Sequence, residues 1–303
     1  MIYIAVANED WVCNHLVNEW KYYNPGKFSN NIQECDKVWL VNDYILNTLP
    51  DLSEKTVITT IHHIDEEKFD EKQFKKVNNI TTYFHTICQK TYDLLQQKTK
   101  KKIVLAPFPI DKNSYFEMNN KNELRKKYKF KKDDFIIGSF QRDTEGDSIK
   151  SGQFLPKLSK GPDIFLKIIK EYYANNKNLV VLLTGFRRNY LIKHFEKLGI
   201  RYQYFEKCSQ DEMNELLNIL DLYIVSSRTE GGPRTIFECA ITKTNIVSTD
   251  VGIASDILAP ESIYQNVEEY CNAKPNLEVA YFNVLKYLAN TYMIDFNQKV
   301  FYS

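Results

Sequence analysis

The chain has 303 residues, a length that ordinarily divides into two domains rather than one. Hydrophobic residues make up 43% and charged residues 26%, which suits ordinary buried cores and excludes a disordered chain. Forty basic residues against 39 acidic ones leave a net charge of +1, which excludes a nucleic-acid partner held by bulk charge.

In chain order, MIYIAV (1–6) reads as a first strand, and Val12, Leu16 and Trp20 recur at helical spacing in 10–20. DKVWLV (36–41), KTVITTIHH (55–63), NITTYFHTI (79–87) and KIVLAPF (102–108) read as further strands, with QKTYDLLQQ (89–97) as a crossover helix. That alternation predicts a parallel sheet flanked by helices. Residues 107–133 break the rhythm with prolines and lysines, and a domain boundary is expected there.

The second half is more regular. Strands are predicted at 134–140, 178–185, 201–206, 221–227 and 244–250. Helices are predicted at 162–173, 189–199, 209–220 and 233–241, with Ser209 as an N-cap, and the tail over 273–292 is again helical. Five strands separated by helices form an open doubly wound sheet, which takes ligands beyond the carboxyl ends of its strands. Two such α/β domains in tandem place the default site in a cleft between them. The expected organisation is a domain over 1–118, a linker over 119–133, a second domain over 134–270 and a helical tail over 271–303 that returns to the first domain.

The cysteines at 13, 35, 88, 208, 239 and 271 form no C-x-x-C pair and no secreted disulfide framework, so a reducing, cytoplasmic setting is expected. No apolar run reaches membrane-spanning length, and MIYIAVANEDW lacks the basic region and cleavage signal of a leader. No metal is expected: His62 and His63 are the one close histidine pair, and on a strand they point opposite ways.

The most informative stretch is SSRTEGGPRTIFE (226–238), directly after the strand DLYIVSS. Gly231 and Gly232 let the backbone turn tightly and approach a ligand closely, and Pro233 suits a first helical position. The amides of such a turn, at a helix N-terminus, favour a phosphate. Glu230 before the turn and Glu238 within the helix accept hydrogen bonds when ionised, so they suit hydroxyls at both ends of a bound diphosphate. Two carboxylates beside a phosphate call for cations. Arg142 just beyond the strand 134–140, and Lys160-Gly161 just before the helix 162–173, supply a rigid guanidinium fork and a mobile point charge.

This arrangement resembles the retaining glycosyltransferases of the GT-B fold, family four, of the glycosyl transferases group 1 type. Their carboxyl-terminal domain carries a G-R…K-G pair and an E-x7-E motif. The matching positions here are Gln141-Arg142, Lys160-Gly161, and Glu230 through Glu238 followed by Cys239-Ala240, with Ser226-Ser227 where the family has P-S. The resemblance is specific over 134–258 and topological before that. It implies two Rossmann-like doubly wound domains facing across a cleft, the amino-terminal one reduced. It also implies that Glu230 contacts the donor sugar, Glu238 the ribose hydroxyls, and Arg142 and Lys160 the diphosphate. A histidine-containing turn lies under the reacting sugar in the family, and His62 in TTIHHIDEEKF takes that place, hydrogen-bonding a sugar hydroxyl; a histidine that merely ends a strand is the other reading.

The departures are specific. Lys243-Thr244 stands where the family has glycine, Phe108-Pro109 replaces Asn-Gly before Asp111, and the loop ANEDWVC lacks the glycine pair that approaches the diphosphate and acceptor. Glu9, Asp10 and Trp11 would fill that space and make acceptor binding unusual.

The implied activity is metal-independent, retaining transfer of a sugar from a nucleoside diphosphate, a UDP-sugar first and a GDP-sugar second, to an acceptor hydroxyl. No cofactor is needed beyond that substrate. The acceptor class is a glycan or a lipid-linked or protein-linked acceptor, in polysaccharide or glycoconjugate synthesis. Stretches such as KTKKK (98–102) suit peripheral contact at the inner face of the membrane, and equally an exposed solvated turn. The alternatives are a donor-binding or scaffold protein weak in catalysis, and another GT-B enzyme such as a sugar-nucleotide epimerase. A dinucleotide enzyme is disfavoured, since MIYIAVANEDW has no G-x-G-x-x-G.

Overall fold

The computed structural model describes residues 1–7 and 12–302. It divides into two units, Met1–Asp111 with Lys286–Ser303, and Lys112–Leu285.

In the first unit, β1 (Ile2–Ala5), α1 (Val12–Tyr23), β2 (Lys37–Leu40), β3 (Thr56–Ile61), α2 (Glu71–Ile80), β4 (Tyr83–Thr86), α3 (Gln89–Lys98) and β5 (Ile103–Leu105) follow in sequence. The five strands are parallel and lie in the order β1-β2-β3-β4-β5. An isolated parallel bridge between Ile2 and Phe28 adds a further chain pass on the other side of β1. The chain therefore leaves β1 through α1 in one direction, reaches Phe28, and returns past β1 to form β2. This reversal is the topological switch point of the sheet, and its carboxyl edge is a natural ligand crevice.

Helix α2 occupies residues that looked featureless in sequence, and it runs into the segment expected as a fourth strand from Asn79. Asp70 caps it by accepting from the Lys72 and Gln73 amides, and Phe74 and Val77 supply its buried face.

The second unit contains α4 (Lys121–Lys127), β6 (Phe135–Ser139), α5 (Gly146–Lys150), α6 (Pro162–Asn175), β7 (Leu179–Thr184), α7 (Asn189–Leu198), β8 (Tyr202–Phe205), α8 (Gln210–Asn218), β9 (Leu222–Val225), α9 (Arg234–Thr242), β10 (Ile246–Thr249), α10 (Ala254–Ile257), β11 (Ile263–Tyr264), α11 (Val267–Tyr270) and α12 (Leu277–Val284). Its six parallel strands lie in the order β11-β10-β9-β6-β7-β8. Every residue of β7, LVVLLT, is buried, as a central parallel strand covered on both faces requires. Phe165 and Ile168 of α6 and Leu191 and Phe195 of α7 pack on it in one core. Ser209 caps α8 in a full capping box with Glu212. The sixth strand, β11, has only two residues, too few to show a period in sequence.

Residues 119–133, expected as a linker, carry α4. Its Arg125 is buried and donates to the Ile219 carbonyl and to Asp221 Oδ2 at 2.6 Å.

The last helix, α13 (Ala289–Phe301), belongs to the first unit. Its Phe296 and Phe301 join Trp20, Trp39 and Phe108 in one aromatic core. Trp20 Nε1 donates to Asn297 Oδ1 at 2.8 Å, and Asn297 Nδ2 donates to Asn24 Oδ1 at 2.6 Å. A second buried relay crosses the sheet. Trp39 Nε1 donates to Thr60 Oγ1, that hydroxyl meets His85 Nδ1 at 2.9 Å, and His85 Nε2 meets the Ala106 carbonyl at 2.7 Å. A carbonyl only accepts, so Nε2 carries the proton and the Thr60 hydroxyl donates to Nδ1. Burial pushes the His85 pKa from 6.5 down to about 4, against the pull of the Ala106 carbonyl.

Candidate functional site

In the second unit the order of strand addition reverses between β6 and β9, which are parallel neighbours although two strands, β7 and β8, separate them in sequence. Gln141 and Arg142 follow β6, and Ser226 through Glu230 follow β9, so both segments leave the carboxyl edge at the switch point. Gln141 joins them: its Nε2 donates to the Lys160 carbonyl at 2.9 Å and its Oε1 accepts from Ser227 Oγ at 3.0 Å.

The turn that carries Lys160 and the loop that carries Glu230 are stitched together along the backbone. Arg228 and Thr229 both donate their amides to the Ser159 carbonyl, at 2.8 and 3.1 Å. The Arg228 guanidinium holds the Leu158 carbonyl and forms a forked pair with Asp163. That forked bond lowers the Asp163 pKa and raises that of Arg228. Gly161 sits at φ +60°, and a Cβ there would lie 1.7 Å from the Ser226 carbonyl oxygen. The two segments can approach this closely only through glycine.

The result is a direct ion pair. Lys160 Nζ lies 2.5 Å from Glu230 Oε1, and the side chains keep only 20% and 13% exposure. Ser227 Oγ also reaches Glu230 Oε1, at 3.3 Å. Lys160, Glu230, Gln141 and Ser227 therefore form one polar cluster at the reversal point. Arg142 follows directly on Gln141 and is partly buried.

Gly231 and Gly232 continue from Glu230. Their backbone is backed by Gly252, where φ is +54° and a Cβ would fall 2.1 Å from the Gly231 oxygen. Gly252 is a fixed part of this turn that the motifs did not reveal; its signal was a glycine just after a strand. Pro233 stands one residue ahead of α9 rather than at its first position, and its carbonyl accepts the Ile236 amide. Glu238 is buried on α9, one turn beyond Arg234, with a separation of 3.9 Å between charged atoms.

A buried ion pair braces the same edge. Arg188 Nε lies 2.7 Å from Asp143 Oδ2, with both side chains at 2% exposure or less. Arg188 also donates to the Ser139 and Thr184 carbonyls, the ends of β6 and β7. No motif pointed to this arginine.

In the first unit, His62 follows β3 and is half-buried, whereas His63 is exposed. His62 Nε2 lies 2.9 Å from the Val41 carbonyl and 3.7 Å from Cys13 Sγ, and its ring stacks on Phe108 at 5.9 Å. Burial pulls the His62 pKa down, but the Cys13, Val41 and Asp43 contacts outweigh it and the net direction is up. The expected filling of the post-β1 space by Glu9, Asp10 and Trp11 falls outside the described residues. Among the described residues no group of three or more His, Cys, Asp or Glu is placed to hold a metal ion. No helix among them is long and apolar enough to cross a membrane.

Residues 120–274 match the family model of the glycosyl transferases group 1, just over half of the chain. The chain belongs to that family, and its two Rossmann-like units have the GT-B architecture. It is 29% identical over 166 residues to an uncharacterized glycosyltransferase of Methanocaldococcus jannaschii, a match over 54% of this chain but only 37% of that protein. In structure it is similar to Anabaena Alr3699/HepE in complex with UDP and glucose, with a TM-score of 0.78, 12% identity and 97% of each chain covered. It is also similar to sucrose-phosphate synthase from Thermosynechococcus elongatus, at TM-score 0.67 and 10% identity over 97% of this chain and 79% of that one. At these identities the structural likeness is one of fold.

Proposed function

We propose that the protein transfers a sugar from a nucleoside diphosphate to an acceptor hydroxyl, with retention at the anomeric carbon. The observation that carries this reading is the Lys160–Glu230 pair at the switch point of the second sheet. A lysine at that edge suits an anionic diphosphate, and a carboxylate beside it suits the hydroxyls of the attached sugar. In this reading Lys160 exchanges Glu230 for phosphate oxygens when donor binds, and Arg142 adds a second cation. The Gly231-Gly232-Pro233 turn brings backbone to the pyrophosphate, and Glu238 takes the ribose hydroxyls. Cations aimed at the leaving diphosphate stabilise the charge that develops there as the glycosidic bond breaks. His62 accepts or donates a hydrogen bond at a sugar hydroxyl. Lys112–Leu285 is then the nucleotide-sugar unit and the remainder the acceptor-side unit.

A UDP-sugar is the first donor to test, since Alr3699/HepE is described with UDP, glucose and UDP-glucose; a GDP-sugar is the second. The acceptor is a glycan or a lipid-linked or protein-linked glycoconjugate. Slow hydrolysis of UDP- and GDP-sugars, followed as released diphosphate, tests the reading. The parent should turn over, and Arg142→Ala and Glu230→Ala should each lose on the order of a hundredfold. Binding without turnover in the parent would instead identify a donor-binding protein, and equal turnover in all three would reject these residues as the site.

A further inference from the structure

We propose that Cys13 and Asn42 are positioning residues for His62, holding a ring whose Nε2 proton faces the Val41 carbonyl so that Nδ1 is the nitrogen offered to a ligand hydroxyl. This rests on the functional reading of His62 given above and assigns the atom and the sense of its hydrogen bond.

The geometry begins at the switch point of the first sheet. Segments leaving β1, β2 and β3 meet there at the carboxyl edge, where an open parallel sheet takes ligands. The Ala7 amide, after β1, donates to Asn42 Oδ1 at 3.1 Å. That bond settles which end of the Asn42 amide is oxygen, so its Nδ2 is the atom 3.4 Å from Cys13 Sγ and must donate to it. Across the sulfur, Sγ lies 3.7 Å from His62 Nε2. The same nitrogen lies 2.9 Å from the Val41 carbonyl oxygen, which can only accept. Nε2 is therefore protonated, and the sulfur accepts from both sides. The Phe108 ring, stacked on the imidazole, restricts its rotation.

Among the described residues His62 Nδ1 has no hydrogen-bond partner. Above the raised His62 pKa the ring is neutral and Nδ1 is an acceptor, so there the group it recognises must donate. A sugar hydroxyl fits; an ionised phosphate oxygen does not. Cys13 and Asn42 need not touch that ligand. They link the segment after β1 to the ring, so the position of Nδ1 depends on where that segment lies.

The test uses the full chain with 15N-labelled histidine, the His62 signals being assigned from their loss in His62→Ala. Long-range proton–nitrogen spectra recorded on the alkaline side of the His62 titration should show a single tautomer with Nε2 protonated. Cys13→Ala and Asn42→Ala should each keep that tautomer, which the Val41 carbonyl fixes, but shift the His62 nitrogen signals and lower sugar-nucleotide turnover about tenfold, the scale of a small misplacement of a reacting contact. Cys13→Ser, which keeps an acceptor, should restore most of that loss. In the Cys13→Ala/His62→Ala double variant turnover should fall no further than in His62→Ala alone. A parent protonated at Nδ1, or losses that multiply in the double variant, would overturn the proposal. Full turnover in His62→Ala would instead overturn the functional reading beneath it, while the tautomer spectrum still decides the geometry. Melting curves of each variant separate a folding defect from these outcomes.

Discussion

At Gly161 a single hydrogen decides whether two segments meet. The residue combines φ +60° with a would-be Cβ 1.7 Å from the Ser226 oxygen. Alanine there must both strain its own backbone and push the Lys160 turn away from the Glu230 loop. Gly161→Ala is expected to cost at least about 2 kcal/mol in urea unfolding, and to weaken donor binding with it. The motif gave this glycine a place beside Lys160 but not a reason, because the reason is a contact across 65 residues. The same holds for Gly252, whose partner is the Gly231-Gly232 backbone.

A second residue-scale prediction concerns acid. His85 is fully buried and its pKa is pushed from 6.5 to about 4. The unfolded chain therefore binds a proton on this residue before the folded chain does. Stability from His85 is complete above the unfolded pKa and is lost as pH falls from 6.5 toward 4. Between about pH 7.5 and pH 5 the loss should be about 2 kcal/mol, read as a difference in denaturant midpoints with a matched slope. His85→Phe should flatten that part of the pH profile; an unchanged profile would contradict the burial argument.

Among elements, the strands that carry the candidate site were legible because each is a dense apolar run: LVVLLT at β7 and LYIV at β9 are buried throughout. Helix α2 was not, since Phe74 and Val77 are its only buried residues and its cap, Asp70, follows a run of charges. Strand β11 escaped by its length alone. The Arg188–Asp143 pair belongs to this scale because it clamps the ends of β6 and β7 through the Ser139 and Thr184 carbonyls. Removing one partner leaves the other charge buried, so Asp143→Asn should destabilise the protein by about 3–5 kcal/mol in chemical denaturation. It should also loosen the segment of Gln141 and Arg142 that begins at the end of β6. A loss below about 1 kcal/mol would show that the arginine keeps enough hydrogen bonds through the carbonyls alone.

For the whole molecule, the chain reads as two Rossmann-like units, and their existence was visible in the alternation of strands and helices. A helical tail returning to the first unit was expected from the sequence; less visible were the contacts by which it closes that unit. Its sheet is covered by α13, which begins 178 residues after the last residue of the unit's first segment, the interval from Asp111 to Ala289. Only in the fold do Phe296, Phe301 and Asn297 close on Trp20, Trp39 and Asn24. The candidate site divides in the same way. Lys160, Glu230 and the glycine turn were legible as a motif, whereas Gln141 and Ser227 as their connectors, and Asn42 and Cys13 beside His62, depend on distances that no spacing encodes.

In the function proposed here, the Lys160–Glu230 pair is a donor site held ready by its own ion pair. Calorimetric titration of the full chain with a UDP-sugar, repeated with a GDP-sugar, addresses it most directly, with Lys160→Ala and Glu230→Gln alongside. The parent should bind one of the two donors; Lys160→Ala should lose at least about tenfold in affinity, or about 1.4 kcal/mol, for donor and free nucleoside diphosphate alike. Glu230→Gln should weaken the sugar nucleotide more than the free diphosphate. Unchanged affinity in both variants, with binding intact in the parent, would rule out this pair as the donor site.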